Sequence, residues 1–124
     1  MQLIDSCGWL EYITDGPLAD KYAAFIESNR NQFLVPTLIV YEVYKFLRRT
    51  TTEEMALQAV AHLETCQTIG LDLTLAMEAA DRSILHQLAM ADAIVYATSQ
   101  HYKAELVTSD ADFKNLPGVH FITK

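Results

Sequence analysis

The stretch LVTSDADFKNLPGV, residues Leu106–Val119, decides how this chain folds. Two apolar residues run into Thr108, and the carboxylates Asp110 and Asp112 follow two positions apart. An apolar run that stops at acids reads as a short buried strand with carboxylates at its C-terminal end. A short helix is expected around Asp112–Asn115, then a turn at Pro117-Gly118 and another strand in VHFIT, 119–123.

Working outward, the same pattern recurs. QLID (2–5) is a short apolar run that stops at Asp5. QFLVP (32–36) is a strand closed by Pro36, QTIGLD (67–72) a weak third, and AELVTSD (104–110) the fourth. Helical segments lie between them. GWLEYIT (8–14) is short, and Asp15-Gly16-Pro17 is turn chemistry, with Pro17 suited to a first helical position. Leu18, Tyr22, Phe25 and Ile26 then recur at helical spacing, and Asn29–Asn31 is expected to end that helix.

From Thr37 the segment LIVYEVYKFLRR (38–49) reads as a helix with an apolar stripe of Leu38, Val40, Tyr41, Tyr44 and Leu47. Thr51 and Glu54 form an expected capping box for a helix carrying Met55, Leu57, Ala59, Val60 and Leu63. Thr74 is expected to cap a helix running through Leu88, and another begins near Ala91 or Asp92 and runs to about Tyr102. Short strands alternating with longer helices predict a parallel sheet of about five strands covered on both faces. The expected fold is a single three-layer α/β/α domain over residues 1–124.

With 124 residues, 51% of them hydrophobic, one core is readily built. A net charge of -7 argues against a generally basic surface that coats nucleic acid. It leaves room for a nucleic-acid enzyme with an acidic metal site, because divalent cations bridge carboxylates and phosphates. No secretory signal or membrane-length apolar run stands out. Cys7 and Cys66 are far apart and form no CxxC pair, so both are read as core thiols of a cytoplasmic protein.

Ligand sites of open parallel sheets lie outside the carboxyl ends of the strands, where the strand order switches. Asp5 and Asp110 end two strands, so neighbouring placement would turn both into one cleft. Asp92 sits at or near a helix N-terminus. Glu42 lies inside LIVYEVYKF, where a carboxylate among Val40, Tyr41, Val43 and Tyr44 is costly to bury without a partner. Gathered carboxylates repel one another and a hard cation reverses that, so Mg²⁺ or Mn²⁺ is the expected partner. Such a site suits phosphodiester hydrolysis.

At these residues the chain resembles the PIN-domain family, and within it the VapC-like toxins of toxin–antitoxin pairs. The resemblance runs through LIDSCGWLEY (3–12), VPTLIVYEVYKFLRR (35–49), LAMADAIVYATSQHYKAELVTSDADF (88–113) and LPGVHF (116–121). Residue by residue it makes Asp5, Glu42, Asp92 and Asp110 the acidic, metal-ligating and catalytic set. Asp112 matches a further acid of the last motif, and Ser6 and Thr108 are supporting hydroxyls. It implies a Mg²⁺- or Mn²⁺-dependent endoribonuclease leaving 5′-phosphate and 3′-hydroxyl ends. It also implies a homodimer held inactive by a small antitoxin, through which alone DNA is engaged. Cys7 departs from the family, which often has a small or hydroxyl residue there. A soft thiol is a poor Mg²⁺ ligand and is expected to pack in the core.

Rival folds with an acidic cleft fit the same residues less well. A receiver domain needs paired acids near its first strand, and a haloacid-dehalogenase-type phosphatase needs Asp-x-Asp where Ser6 and Cys7 follow Asp5. No G-x-G-x-x-G or phosphate-binding loop motif occurs. Ser6 has no histidine placed by motif to act as its base, and His62, His86, His101 and His120 form no metal pattern. Lys45, Arg48 and Arg49 either complement a helix C-terminus or contact RNA phosphates. The alternative function is a catalytically silent PIN-like module that binds RNA or protein.

Overall fold

The computed structural model describes residues 1–28 and 32–124. The elements run β1 (Gln2–Ile4), α1 (Ser6–Ile13), α2 (Ala19–Ser28), β2 (Leu34–Pro36), α3 (Thr37–Thr50) and α4 (Glu53–Glu64). They continue with β3 (Gln67–Ile69), α5 (Leu73–His86), α6 (Met90–His101), β4 (Glu105–Thr108), a 3₁₀ turn (Ala111–Phe113) and β5 (Val119–Phe121). The expected end of α2 at Asn29–Asn31 lies outside the described residues.

All strand pairs are parallel. β1 pairs with β4 and β4 with β5, while β2 pairs with β3. The two ladders meet at one parallel bridge between Gln2 and Phe33, with the Gln2 N–H reaching the Gln32 carbonyl at 3.3 Å. The strand order is therefore β3-β2-β1-β4-β5, and the expected continuous sheet has a seam between β2 and β1. Right-handed crossovers place α1–α4 on one face and α5–α6 on the other. The packing agrees, with α1 against α2 and α3, α3 against α4, and α5 against α6.

The inner strands are buried on both sides, which is why they read as unbroken apolar pairs. Leu3-Ile4, Leu34-Val35 and Leu106-Val107 are all fully buried. Trp9 meets Phe33 edge-on, and Tyr96 lies near Phe113 beneath the other face. The link from β4 to β5 holds no full helix. It closes through Gly118, whose φ of +79° favours glycine, and a Cβ there would lie 2.6 Å from Gln100 Nε2.

Several local expectations shift. Thr52, not Thr51, caps α4 by accepting from the Met55 N–H, while the Thr51 hydroxyl donates back to the Leu47 carbonyl. Asp72, not Thr74, caps α5 through the Leu75 N–H. In both places two cap-capable residues stand close together, and only the backbone decides between them. The fully buried stripe of α3 is Ile39, Val43 and Leu47; Leu38, Val40 and Tyr44 are half-buried and Tyr41 is exposed. In α4 the buried residues are Ala56, Ala59 and Leu63, with Met55 and Leu57 exposed. Among the described residues no helix is long and apolar enough to cross a membrane.

Candidate metal centre

The strand order reverses between β1 and β4, where β1 has β2 on one side and β4 on the other. Brought together there are the residue after β1 and those after β4. Asp5 caps α1, and its Oδ1 accepts from the Ser6 N–H at 2.8 Å. Its Oδ2 accepts from the Thr108 hydroxyl at 2.8 Å, and the side chain is only 5% exposed. Thr108 Oγ1 in turn accepts from the Asp110 N–H at 3.0 Å. Asp110 caps the 3₁₀ turn, its Oδ1 accepting from the Asp112 N–H at 3.0 Å.

Asp92 faces this pair from the first turn of α6. Ala89 precedes that helix and makes no side-chain cap bond, so the start expected at Ala91 or Asp92 lies earlier. Asp92 is thus not spent on capping. One carboxylate oxygen from each of Asp92, Asp110 and Asp112 lies within 4.8 Å of the others. Asp5 and Glu42 stand outside that trio but within its field.

The electrostatics show how tightly the acids are gathered. Burial, and then the charges of Asp110, Asp5, Asp112 and Glu42, push the Asp92 carboxyl up to about 7. Burial also raises Asp5, against the hydrogen bonds from Thr108 and Ser6. Glu42 is raised by burial and by Asp5 and Asp110, against a hydrogen bond from the Ser6 side chain. Among the described residues the ion pairs are Arg48–Glu53 and His101–Glu78, so neither involves these acids. The trio is an all-oxygen donor set with two further acids in its field, and such a set suits a hard divalent ion.

The PIN-domain sequence profile matches residues 3–119. The chain belongs to the PIN-domain family. Solved structures share its fold across nearly its whole length. One is a chain of the toxin–antitoxin complex from Klebsiella pneumoniae, with a TM-score of 0.81 and 23% identity over 98% of this chain and 100% of that one. Another is from VapBC2 of Rickettsia felis bound to a DNA fragment from their promoter, with a TM-score of 0.78 and 14% identity over 98% and 96% of the two chains. A third is Mycobacterium tuberculosis VapC20, a sarcin–ricin-loop-cleaving toxin, with a TM-score of 0.76 and 12% identity over 92% of each chain. At these identities the likeness establishes the fold. No curated protein matches the chain by sequence.

In this PIN domain the structure gathers all the acids that the sequence singles out, with Asp112 inside the tight trio and Asp5 beneath it. The Ser6 backbone N–H and the Thr108 hydroxyl both hold Asp5 by hydrogen bonds. Cys7 departs from the expectation of an ordinary core thiol. Its Sγ is half-buried, 3.7 Å from Asp5 Oδ2 and 3.6 Å from Thr108 Oγ1, because the first turn of α1 points it at the end of β4. Cys66 is half-buried after α4, and burial pushes its thiol up. Two residues had no signal in the sequence: Ser109, between Thr108 and Asp110, and Tyr22, whose hydroxyl donates to Ser109 Oγ at 2.9 Å.

Proposed function

We propose that this PIN domain is a VapC-like toxin: a divalent-metal-dependent endoribonuclease neutralised by a cognate antitoxin. The observation that carries the reading is the trio Asp92, Asp110 and Asp112, with Asp5 and Glu42 beside it, at the switch point of the sheet. The toxin–antitoxin chains that share its fold support the assignment of partner and substrate class.

Asp92, Asp110 and Asp112 would hold Mg²⁺ or Mn²⁺, and Asp5 adds charge from below. Such an ion supplies a nucleophilic water at neutral pH and neutralises charge that develops on the phosphate. Asp5 is fixed by two short hydrogen bonds, so it holds its place before substrate arrives. Glu42, made more basic by burial and by the charges of Asp5 and Asp110, is suited to take the proton of the attacking water. Incubation with total RNA and Mg²⁺ or Mn²⁺ is expected to give discrete fragments with 5′-phosphate ends, and EDTA should prevent them. A folded, metal-loaded protein that leaves RNA intact would turn the assignment to the silent binding module.

The face of α3 that carries Glu42 also carries Lys45 and Arg49, three and seven residues on. Both are exposed, and they offer a track for RNA phosphates leaving the cleft. Replacing both with alanine is expected to lower the slope of log affinity for single-stranded RNA against log salt by about 1.4, at about 0.7 per contact. An unchanged slope, measured in EDTA, would remove them from the RNA path.

On the opposite face, α5 turns Leu73, Met77 and Ile84 to solvent from one side of the helix. Leu85 and, at the start of α6, Met90 extend the exposed apolar area. An amphipathic helix with its apolar side outward supports the expected homodimer.

A further inference from the structure

A connected set of polar groups, fully buried at Tyr22 and half-buried at Cys7 and Ser109, lies beneath the acids, and ligation does not explain it. Tyr22 is fully buried in α2, and its hydroxyl donates to Ser109 Oγ at 2.9 Å. Ser109 sits in the chain between Thr108, which holds Asp5, and Asp110, whose N–H returns to Thr108. Cys7 Sγ fills the space among them, 3.7 Å from the Tyr22 hydroxyl and 3.5 Å from Ser109 Oγ. Burial holds the Tyr22 hydroxyl protonated far above its ordinary range, so it stays a donor.

Packing alone would be served by phenylalanine. A buried hydroxyl is worth keeping only where its partner matters. The α1 backbone is also cleared for this ring. A Cβ on Gly8 would overlap the Tyr22 ring and come within 2.7 Å of Ile4 Cγ2. Glycine inside a helix costs about 0.5–1 kcal/mol relative to alanine. Here it lets Tyr22 cross α1 and reach a loop 87 residues later in the chain.

We propose that Tyr22 is a positioning residue of the metal site: through Ser109 it tethers the loop after β4, so that Asp110 and Asp112 keep their spacing against mutual repulsion. The inference rests on the metal reading above. Repulsion among the acids pushes this loop outward when no cation is bound. Thr108 restrains it from the strand, and Tyr22 restrains it from the second helix. Tyr22 touches neither substrate nor ion, so its effect is preorganisation, which appears as cation affinity.

The test is Mn²⁺ binding without RNA, followed by the electron paramagnetic resonance signal of the free ion. Tyr22→Phe keeps the ring and removes the hydroxyl, and it is expected to weaken Mn²⁺ binding about tenfold. Ser109→Ala breaks the same bond from the half-exposed side and should weaken binding similarly. The double variant should be no worse than either single one, because both remove one interaction. Thr52→Ala serves as the control: it loses a distant helix cap, lowers stability and should leave Mn²⁺ affinity unchanged. Wild-type affinity in both Tyr22→Phe and Ser109→Ala overturns the tether and leaves the metal site standing. A wild-type protein that binds no Mn²⁺ overturns the metal reading and the tether with it.

Discussion

Asp92→Asn is expected to abolish Mn²⁺ binding and slow RNA cleavage by about 10³-fold, equivalent to about 4 kcal/mol of transition-state stabilisation. The same change should raise the melting temperature in EDTA. Both effects have one cause. Asp92 feels the charges of Asp110, Asp5, Asp112 and Glu42, so removing its own charge relieves the folded protein. The amide keeps the size of the side chain and cannot supply the anion that a hard cation needs. Activity is thus lost while stability is gained, as expected where function requires a strained site. Asp5→Ala would be a poorer test, because it leaves the Ser6 N–H and the Thr108 hydroxyl without their acceptor. Cleavage by Asp92→Asn at the wild-type rate, or a lower melting temperature in EDTA, would remove Asp92 from the site.

The second large effect is the pH dependence of stability without metal. Asp92 rises from an ordinary 3.8 to about 7 in the folded protein, and Asp5 and Glu42 are raised too. Between those values the folded state holds protons that the unfolded state has released. Stability therefore falls as pH rises through that window. The penalty is complete above about pH 7 and absent below the ordinary carboxylate value of 3.8. In EDTA the melting temperature should be several degrees higher near pH 5 than near pH 7.5. Saturating Mn²⁺ should reverse the slope, because the ion displaces the same protons. Asp92→Asn should flatten the EDTA curve. A curve in EDTA that climbs with pH over this range would contradict the clustering of the acids.

Much of this arrangement was legible in the residues. Leu3-Ile4 before Asp5 and Leu106-Val107 before Thr108 announce inner strands with polar ends. The order of acids along the chain, read with the family resemblance, singled out every carboxylate that the fold gathers. What stayed hidden depends on distances across the chain. Ile39, Val43 and Leu47 do recur at helical spacing, but the run Leu38–Tyr41 at the start of that helix is apolar at every position and offers Leu38, Val40 and Tyr41 as rivals. The neighbouring Thr51 and Thr52 both suit a cap. Membership of Asp112 in the tight trio depends on the 3₁₀ turn that bends it back toward Asp92. Tyr22 reads as one more apolar helix position, because nothing local marks its hydroxyl as the partner of Ser109.

The place of β1 in the sheet bears on when such a protein can act. It lies between β2 and β4, and Asp5 takes its hydroxyl partner from a residue 103 positions later. A chain emerging from the ribosome therefore carries Asp5 for most of its synthesis, joined by Glu42 and late by Asp92, without the strand that gathers them. β1 keeps an open edge throughout that time. The cluster exists only once Asp110 and Asp112 have emerged and β4 has docked. On the proposed function, a nuclease built this way is harmless to the translation apparatus that makes it until the polypeptide is nearly finished. A neutralising partner has that whole interval in which to arrive.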